Sequence, residues 1–140
     1  MNQVESTPFL PQEKLMEVCK EHGIVLTAYS PFGGNPRPTK EGVREVSATR
    51  KSLWEDEVIK NIAQKYNKEV SHVLIRFQIQ RGVAVIPKSV TPERVIDNGN
   101  VFDFELSQED MTALMALNRG ERIVVREMLK NEKGYPFLQE

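Results

Sequence analysis

Between Ile86 and Asn98 the chain reads IPKSVTPERVIDN, a run that gathers groups suited to binding phosphate. Lys88 and Arg94 are full cations, and Ser89 and Thr91 carry hydroxyls. Pro92 stands where the first position of a helix tolerates a missing N–H. The apolar run Val83-Ala84-Val85-Ile86 just before reads as a strand that stops at Pro87. The order is therefore strand, basic loop, helix start. Free N–H groups at a helix start carry partial positive charge and favour an anion. Arg adds a fork of two hydrogen bonds to a phosphate. The residue types also admit a plainer reading, a strand–helix turn with Thr91 as N-cap and two solvated cations.

A second cluster is Tyr29-Ser30-Pro31-Phe32-Gly33, just past another apolar run. Tyr29 could stack its ring on a flat heteroaromatic. Alternatively it caps the core while Pro31-Phe32-Gly33 makes a turn. The other reactive side chains invite structural readings. His72 has no Cys or His at ligand spacing, so no metal site is expected. His22 sits beside Gly23 at a helix end, where it suits the dipole. Cys19 lies on an apolar helix face, as a buried inert thiol would. The pair Glu109-Asp110 belongs in a helix's first turn, and no nucleophile stands beside a base.

The elements that would carry these residues alternate between strand and helix. Met1 to Glu5 reads as a short strand. Pro11 to His22 reads as a helix with Leu15, Val18 and Cys19 on one face and Gly23 as its stop. Ile24 to Ala28 is apolar enough for a strand buried on both sides of a parallel sheet. Pro31 to Ser52 is a long polar loop, of a length that is usually functional or mobile. Ser52-Leu53-Trp54-Glu55 has the capping-box pattern, opening a helix with Val58, Ile59, Ile62, Ala63 and Tyr66 on its face. A further helix carries Val70, Val73, Leu74 and Phe77 and stops at Gly82. Val83 to Ile86 is the last strand and Pro92 to Asn98 a short helix. Ser107 caps a final helix with Met111, Leu114, Met115 and Asn118 at helical spacing. Parallel strands joined by helices imply one sheet with right-handed crossovers, hence an α/β fold.

Composition narrows the partners. The formal net charge of the 140 residues is −1, which gives no drive toward nucleic acid or an anionic membrane. The single Cys19 excludes an intramolecular disulfide and a Cys-based zinc site. Apolar runs are only a few residues long, against the roughly 20 that span a bilayer. Gln3, Glu5 and Pro8 interrupt any signal-peptide core. These features point to the cytoplasm.

The run from Ile86 continues as Asn98-Gly99-Asn100-Val101-Phe102-Asp103-Phe104-Glu105-Leu106-Ser107. Together the two stretches resemble the aldo-keto reductases, in which I-P-K-S leads to Arg and then to Asn-x-x-Val-Phe-Asp-Phe. Asn2-Gln3-Val4-Glu5 with Pro8-Phe9-Leu10 resembles the sixth barrel strand of that family and its loop. VLTAYSPFG from Val25 to Gly33 resembles the seventh, Val73-Leu74-Ile75-Arg76-Phe77 the helix before the eighth, and Tyr135-Pro136-Phe137 the C-terminal tail. The likeness runs through the whole chain and is weakest across Asn35 to Ser52 and Gly120 to Gly134. It implies a partial (β/α)8 TIM barrel, strands six to eight with their helices, within an enzyme that reduces carbonyl substrates with NADP(H). On that likeness Lys88, Ser89, Val90, Thr91, Arg94, Asp97 and Asn98 hold the 2′-phosphate and adenine. Tyr29 stacks on nicotinamide, Ser30 and the backbone near Phe32 meet the pyrophosphate, and Gln3 bonds the nicotinamide amide.

The chain also departs from the family pattern. Asp97 replaces a common Glu and reaches one methylene less far toward the adenine amino group. Gly99 weakens the end of the cofactor helix by roughly 1 kcal/mol relative to Ala, and Ser6-Thr7-Pro8 replaces Cys-His-Pro. The loop cations Arg37, Lys40, Arg44, Arg50 and Lys51 either form a belt over the pyrophosphate or are simply solvated. About 250 residues make a whole barrel, so the chain holds roughly three of its eight units. The catalytic Asp, Tyr, Lys and His of the family, and its Ser-Asn pair on strand five, are expected outside it. Ile123 to Glu140 is expected to line the substrate pocket.

Three strands of a closed barrel leave two open edges, so self-association through them is expected of the chain alone. Two function classes stand: a part of an NADP(H)-dependent carbonyl reductase, or a non-catalytic NADP(H)-binding or interaction module. A flavodoxin-like domain would need a Gly-rich loop after its first strand, and Asn2 to Leu10 has none.

Overall fold

A computed structural model describes residues 1–34, 52–124 and 131. Three strands form one parallel sheet: β1 (Asn2–Glu5), β2 (Leu26–Tyr29) and β3 (Ala84–Val85), in the order β1-β2-β3. The register pairs Gln3 with Thr27 and Glu5 with Tyr29, then Thr27 with Ala84 and Ala28 with Val85. Because side chains alternate across a pleated strand, the register sorts the sheet into two faces. Val4, Leu26, Ala28 and Val85 share one face and pack with Cys19, Leu15 and Met16 of α1 (Glu13–Glu21). Gln3, Glu5, Thr27, Tyr29 and Ala84 share the other. The α/β class and the single parallel sheet follow the expectation.

The connection from β2 to β3 holds the larger core. A 3₁₀ turn (Leu53–Glu55) leads into α2 (Glu57–Lys65) and α3 (Val70–Gln80). Ile59, Ile62, Val73, Leu74 and Phe77 meet Phe9, Leu106 and Leu114 in one buried cluster. After β3 come α4 (Pro92–Asp97) and α5 (Gln108–Met115), whose Leu114 closes that cluster.

Helix α3 is the central post of this half. His72 through Gln78 are buried without a break, so its polar members need partners. Gln78 Nε2 donates to the Ser6 carbonyl at 3.0 Å, which ties α3 to the end of β1. Arg76 donates from Nη1 to the Val101 carbonyl at 3.2 Å and from Nη2 to Glu105 at 3.0 Å. Gln80 exchanges bonds with Leu106, accepting from its N–H at 2.7 Å and donating to its carbonyl at 3.0 Å.

Local expectations shift in four places. The first helix begins at Glu13 and not at Pro11, because Gln12 is left-handed (φ 60°) and spends its amide on the Glu5 carbonyl at 2.9 Å. Val18 is exposed while Cys19 is buried. Ser52 caps only the 3₁₀ turn, accepting from Trp54 N–H. Asp56 caps α2, accepting from Val58 N–H at 3.0 Å, so the capping box assigned to Ser52 and Glu55 breaks where the chain passes from 3₁₀ to α geometry. The last two strands are also shorter than their apolar runs. Ile24, Val25 and Ile86 lie outside the ladder and are exposed. The stops at Gly23 (φ +64°) and Gly82 (φ +76°) and the cap at Ser107 stand as expected.

Candidate functional site

Parallel strands place their carboxyl ends on one edge of the sheet, where the segments after Glu5, Tyr29 and Val85 emerge together. Gln3 is exposed, one row below Glu5 and opposite Thr27. Tyr29 is half-buried beside Glu5, on the same face as Gln3. Ser30 adopts a left-handed conformation (φ 51°), and its carbonyl accepts from Gly33 N–H at 2.9 Å. The strand thus ends in a tight turn directly after Tyr29. Phe32 turns its ring against Trp54, centroid to centroid 5.5 Å.

The basic loop continues from β3, where Ile86 N–H donates to the Ala28 carbonyl at 3.1 Å. Lys88 and Val90 are exposed, and Ser89 is half-buried. Ser89 Oγ accepts from Thr91 N–H at 3.1 Å and shapes the turn that opens α4. Thr91 occupies the N-cap position, but its own side chain makes no capping bond. Arg94 and Asp97 line a hollow of about 480 Å³ with Glu93, Ile96 and Asn100. Asn98 closes α4, its N–H donating to the Arg94 carbonyl at 3.0 Å. Lys88 and Arg94 form no ion pair among the described residues. Lys88 stands in the loop before α4 and Arg94 within α4, both exposed and without an ion pair among the described residues, and each is a cation of the kind that binds phosphate.

Asp97 has a partner that sequence reasoning missed. Buried His72 reaches across from α3, its Nε2 lying 3.1 Å from both the carbonyl and Oδ2 of Asp97. His72 Nδ1 accepts from Glu69 N–H at 3.1 Å. That bond fixes Nε2 as the protonated nitrogen of a neutral ring, so Nε2 donates to Asp97. The imidazole therefore clamps the C-terminus of α4 to the N-terminus of α3. It also draws one carboxylate oxygen of Asp97 toward the helix. No local pattern announces such a bond, since 25 residues separate the partners. A groove of about 600 Å³ lies against this clamp, lined by Lys68, His72, Asp97, Asn100 and Asp103 among others. Lys68 bridges both Asp103 oxygens at 2.7 Å and holds the Asp103 carboxyl below the usual carboxylate range.

The belt cations Arg37, Lys40, Arg44, Arg50 and Lys51 lie outside the described residues. So does the tail motif Tyr135-Pro136-Phe137, and of the expected pocket-lining stretch only Ile123, Val124 and Asn131 are described. Among the described residues no group of three His, Cys, Asp or Glu side chains is placed to hold a metal. No described helix is long and apolar enough to cross a membrane.

A small parallel sheet with helices, and a strand–basic loop–helix unit at its carboxyl end, defines an α/β protein. The model of the aldo/keto reductase family matches residues 1–119, and the chain belongs to that family. It is 41% identical over 139 residues to aldo-keto reductase family 1 member D1 of Mus musculus, covering 99% of this chain and 41% of that protein. It is 43% identical over 131 residues to member A1-A of Danio rerio, covering 94% and 39%. A prostaglandin-E(2) 9-reductase of Oryctolagus cuniculus is 40% identical over 139 residues, covering 99% and 42%. The chain thus spans about two fifths of the length of these relatives.

Proposed function

We propose that this chain is the cofactor-holding, C-terminal end of an NADP(H)-dependent aldo-keto reductase barrel, contributing strands six to eight. The observation that carries this reading is two cations without an ion pair among the described residues, Lys88 in the loop before α4 and Arg94 within it, in the segment that follows the carboxyl end of β3. Lys88 and Arg94 take the 2′-phosphate, with Ser89, Val90 and Thr91 shaping the turn between them. Asp97 and Asn98 meet the adenine. Tyr29 supplies a face for nicotinamide, Gln3 its amide contact, and Ser30 with the backbone at Phe32 the pyrophosphate contact. NADPH supplies hydride to an aldehyde or ketone carbonyl. The acid–base residues for that step lie on barrel units outside this chain, so the chain alone is inactive. The same reading proposes the cytoplasm as the site of the reaction.

The two faces of the sheet support the barrel. One packs on helices, and the other carries Gln3, Glu5, Thr27, Tyr29 and Ala84, the positions that fill a barrel interior.

The test is NADPH consumption with small aldehydes by the protein expressed from its complete reading frame, beside the 140-residue chain. The reading expects turnover by the first and none by the second. NADPH binding by neither would overturn it. A non-catalytic interaction module is the second reading, favoured by the exposed apolar side chains Val18 on α1 and Ile24 and Val25 just before β2.

A further inference from the structure

Glu5 ends β1 and is almost fully buried, 1% exposed. A buried carboxylate is costly unless its oxygens are satisfied. Both are satisfied by consecutive backbone amides from the far end of the chain. Ile123 N–H donates to Oε1 at 2.7 Å, and Val124 N–H to Oε2 at 2.9 Å. These are charge-assisted bonds of short length, the stronger kind. They span 118 and 119 residues.

The approach of this segment is fixed at two further points. Arg119 N–H donates to the Phe9 carbonyl at 3.0 Å, and the Arg119 guanidinium lies 4.0 Å over the Phe9 ring. Ile123 seats on Gly33 and Gly34. A Cβ on Gly33 would lie 3.3 Å from Ile123 Cδ1 and 2.6 Å from Leu53, and a Cβ on Gly34 would lie 3.2 Å from Ile123 Cγ2. Both glycines have positive φ, +75° and +64°, which disfavours any side chain there. The two glycines give Ile123 its seat, and Glu5 holds the backbone in it.

Glu5 pairs with Tyr29 in the ladder, so the two side chains share a face one strand spacing apart. From this we infer that Glu5 is a positioning residue: it latches Ile123 and Val124 beside Tyr29, making them a fixed wall of the carbonyl-substrate site. The role as a wall rests on the reading of Tyr29 as the nicotinamide platform; the latch itself does not.

The test uses the protein expressed from its complete reading frame. Glu5→Gln keeps one acceptor oxygen but turns an NH2 donor against the second amide. The latch expects the Ile123 and Val124 amides to exchange with solvent about tenfold faster or more in this variant. The Thr27 and Ala28 amides of β2 should stay within about threefold of wild type. Unchanged exchange at both tail amides overturns the latch. If β2 also opens, Ile123→Pro decides, because it removes one donor and leaves the carboxylate in place. Val124 exchange about tenfold faster supports the latch, and unchanged exchange overturns it.

For the wall, Glu5→Gln should raise KM for a bulky ketone about fivefold more than for a small aldehyde. Its kcat for the small aldehyde should stay within about twofold of wild type. Equal losses on both substrates overturn the wall. Absence of NADPH binding in wild type removes the reductase reading and the wall with it, while amide exchange still judges the latch.

Discussion

Asp110 shows how much a single carboxylate organises here. Its Oδ2 accepts from Lys65 Nζ at 2.8 Å, Tyr66 Oη at 2.6 Å and Ser107 Oγ at 2.8 Å. Burial pushes its pKa up, but these bonds outweigh burial and hold the carboxyl at about 2, below its ordinary 3.8. A depressed pKa contributes stability above the unfolded value that is lost as pH falls through the folded one. Acid should therefore loosen the contact between α2 and α5 progressively from about pH 4 to about pH 2. Asp110→Asn should lower stability by about 2 kcal/mol in urea unfolding at neutral pH and remove that acid-sensitive component. At the cofactor end, Lys88→Glu or Arg94→Ala should raise the Kd for NADPH about 10- to 100-fold. The loss for NADH should be much smaller, since only NADPH carries the 2′-phosphate.

At the scale of elements, α4 is under two turns long and its side chains are exposed or half-buried, so its position comes from neighbours. The His72 clamp and the Arg76 and Gln80 bonds to residues 101–106 supply it. His72→Phe should cost about 1–3 kcal/mol, read by chemical unfolding, and raise the Kd for NADPH without altering the order of NADPH over NADH. Loss of that preference would instead place His72 in the phosphate site.

Sequence periodicity revealed α2 and α5, because each buries a stripe at helical spacing, and it placed α3 by its apolar positions although α3 is buried nearly all round. Residue chemistry revealed the loop from Lys88 to Thr91, because its residues are contiguous. Beside the His72–Asp97 contact, three features were not legible. The α2 cap moved from Ser52 to Asp56, since two capping residues four apart compete and only geometry selects between 3₁₀ and α starts. Val18 was assigned to a buried face by spacing alone, but no described element covers it. Glu5 gave no signal at all, because its partners are backbone amides more than a hundred residues away.

At the scale of the whole molecule, β1 and β3 each pair on one side only among the described residues, which leaves the sheet two open sides. Unpaired strand edges recruit further strands. The chain alone should therefore sediment as concentration-dependent oligomers, and a monomer with a sharp cooperative melt would contradict that. The proposed barrel would account for the same edges without a partner chain, since its neighbouring strands would cover both. The most direct measurement is a titration of NADPH and NADH against the protein expressed from its complete reading frame, wild type beside Arg94→Ala. The account predicts tight NADPH binding in wild type and a selective loss of NADPH affinity in the variant. Equal weakening of both cofactors, or no binding of either, would contradict it.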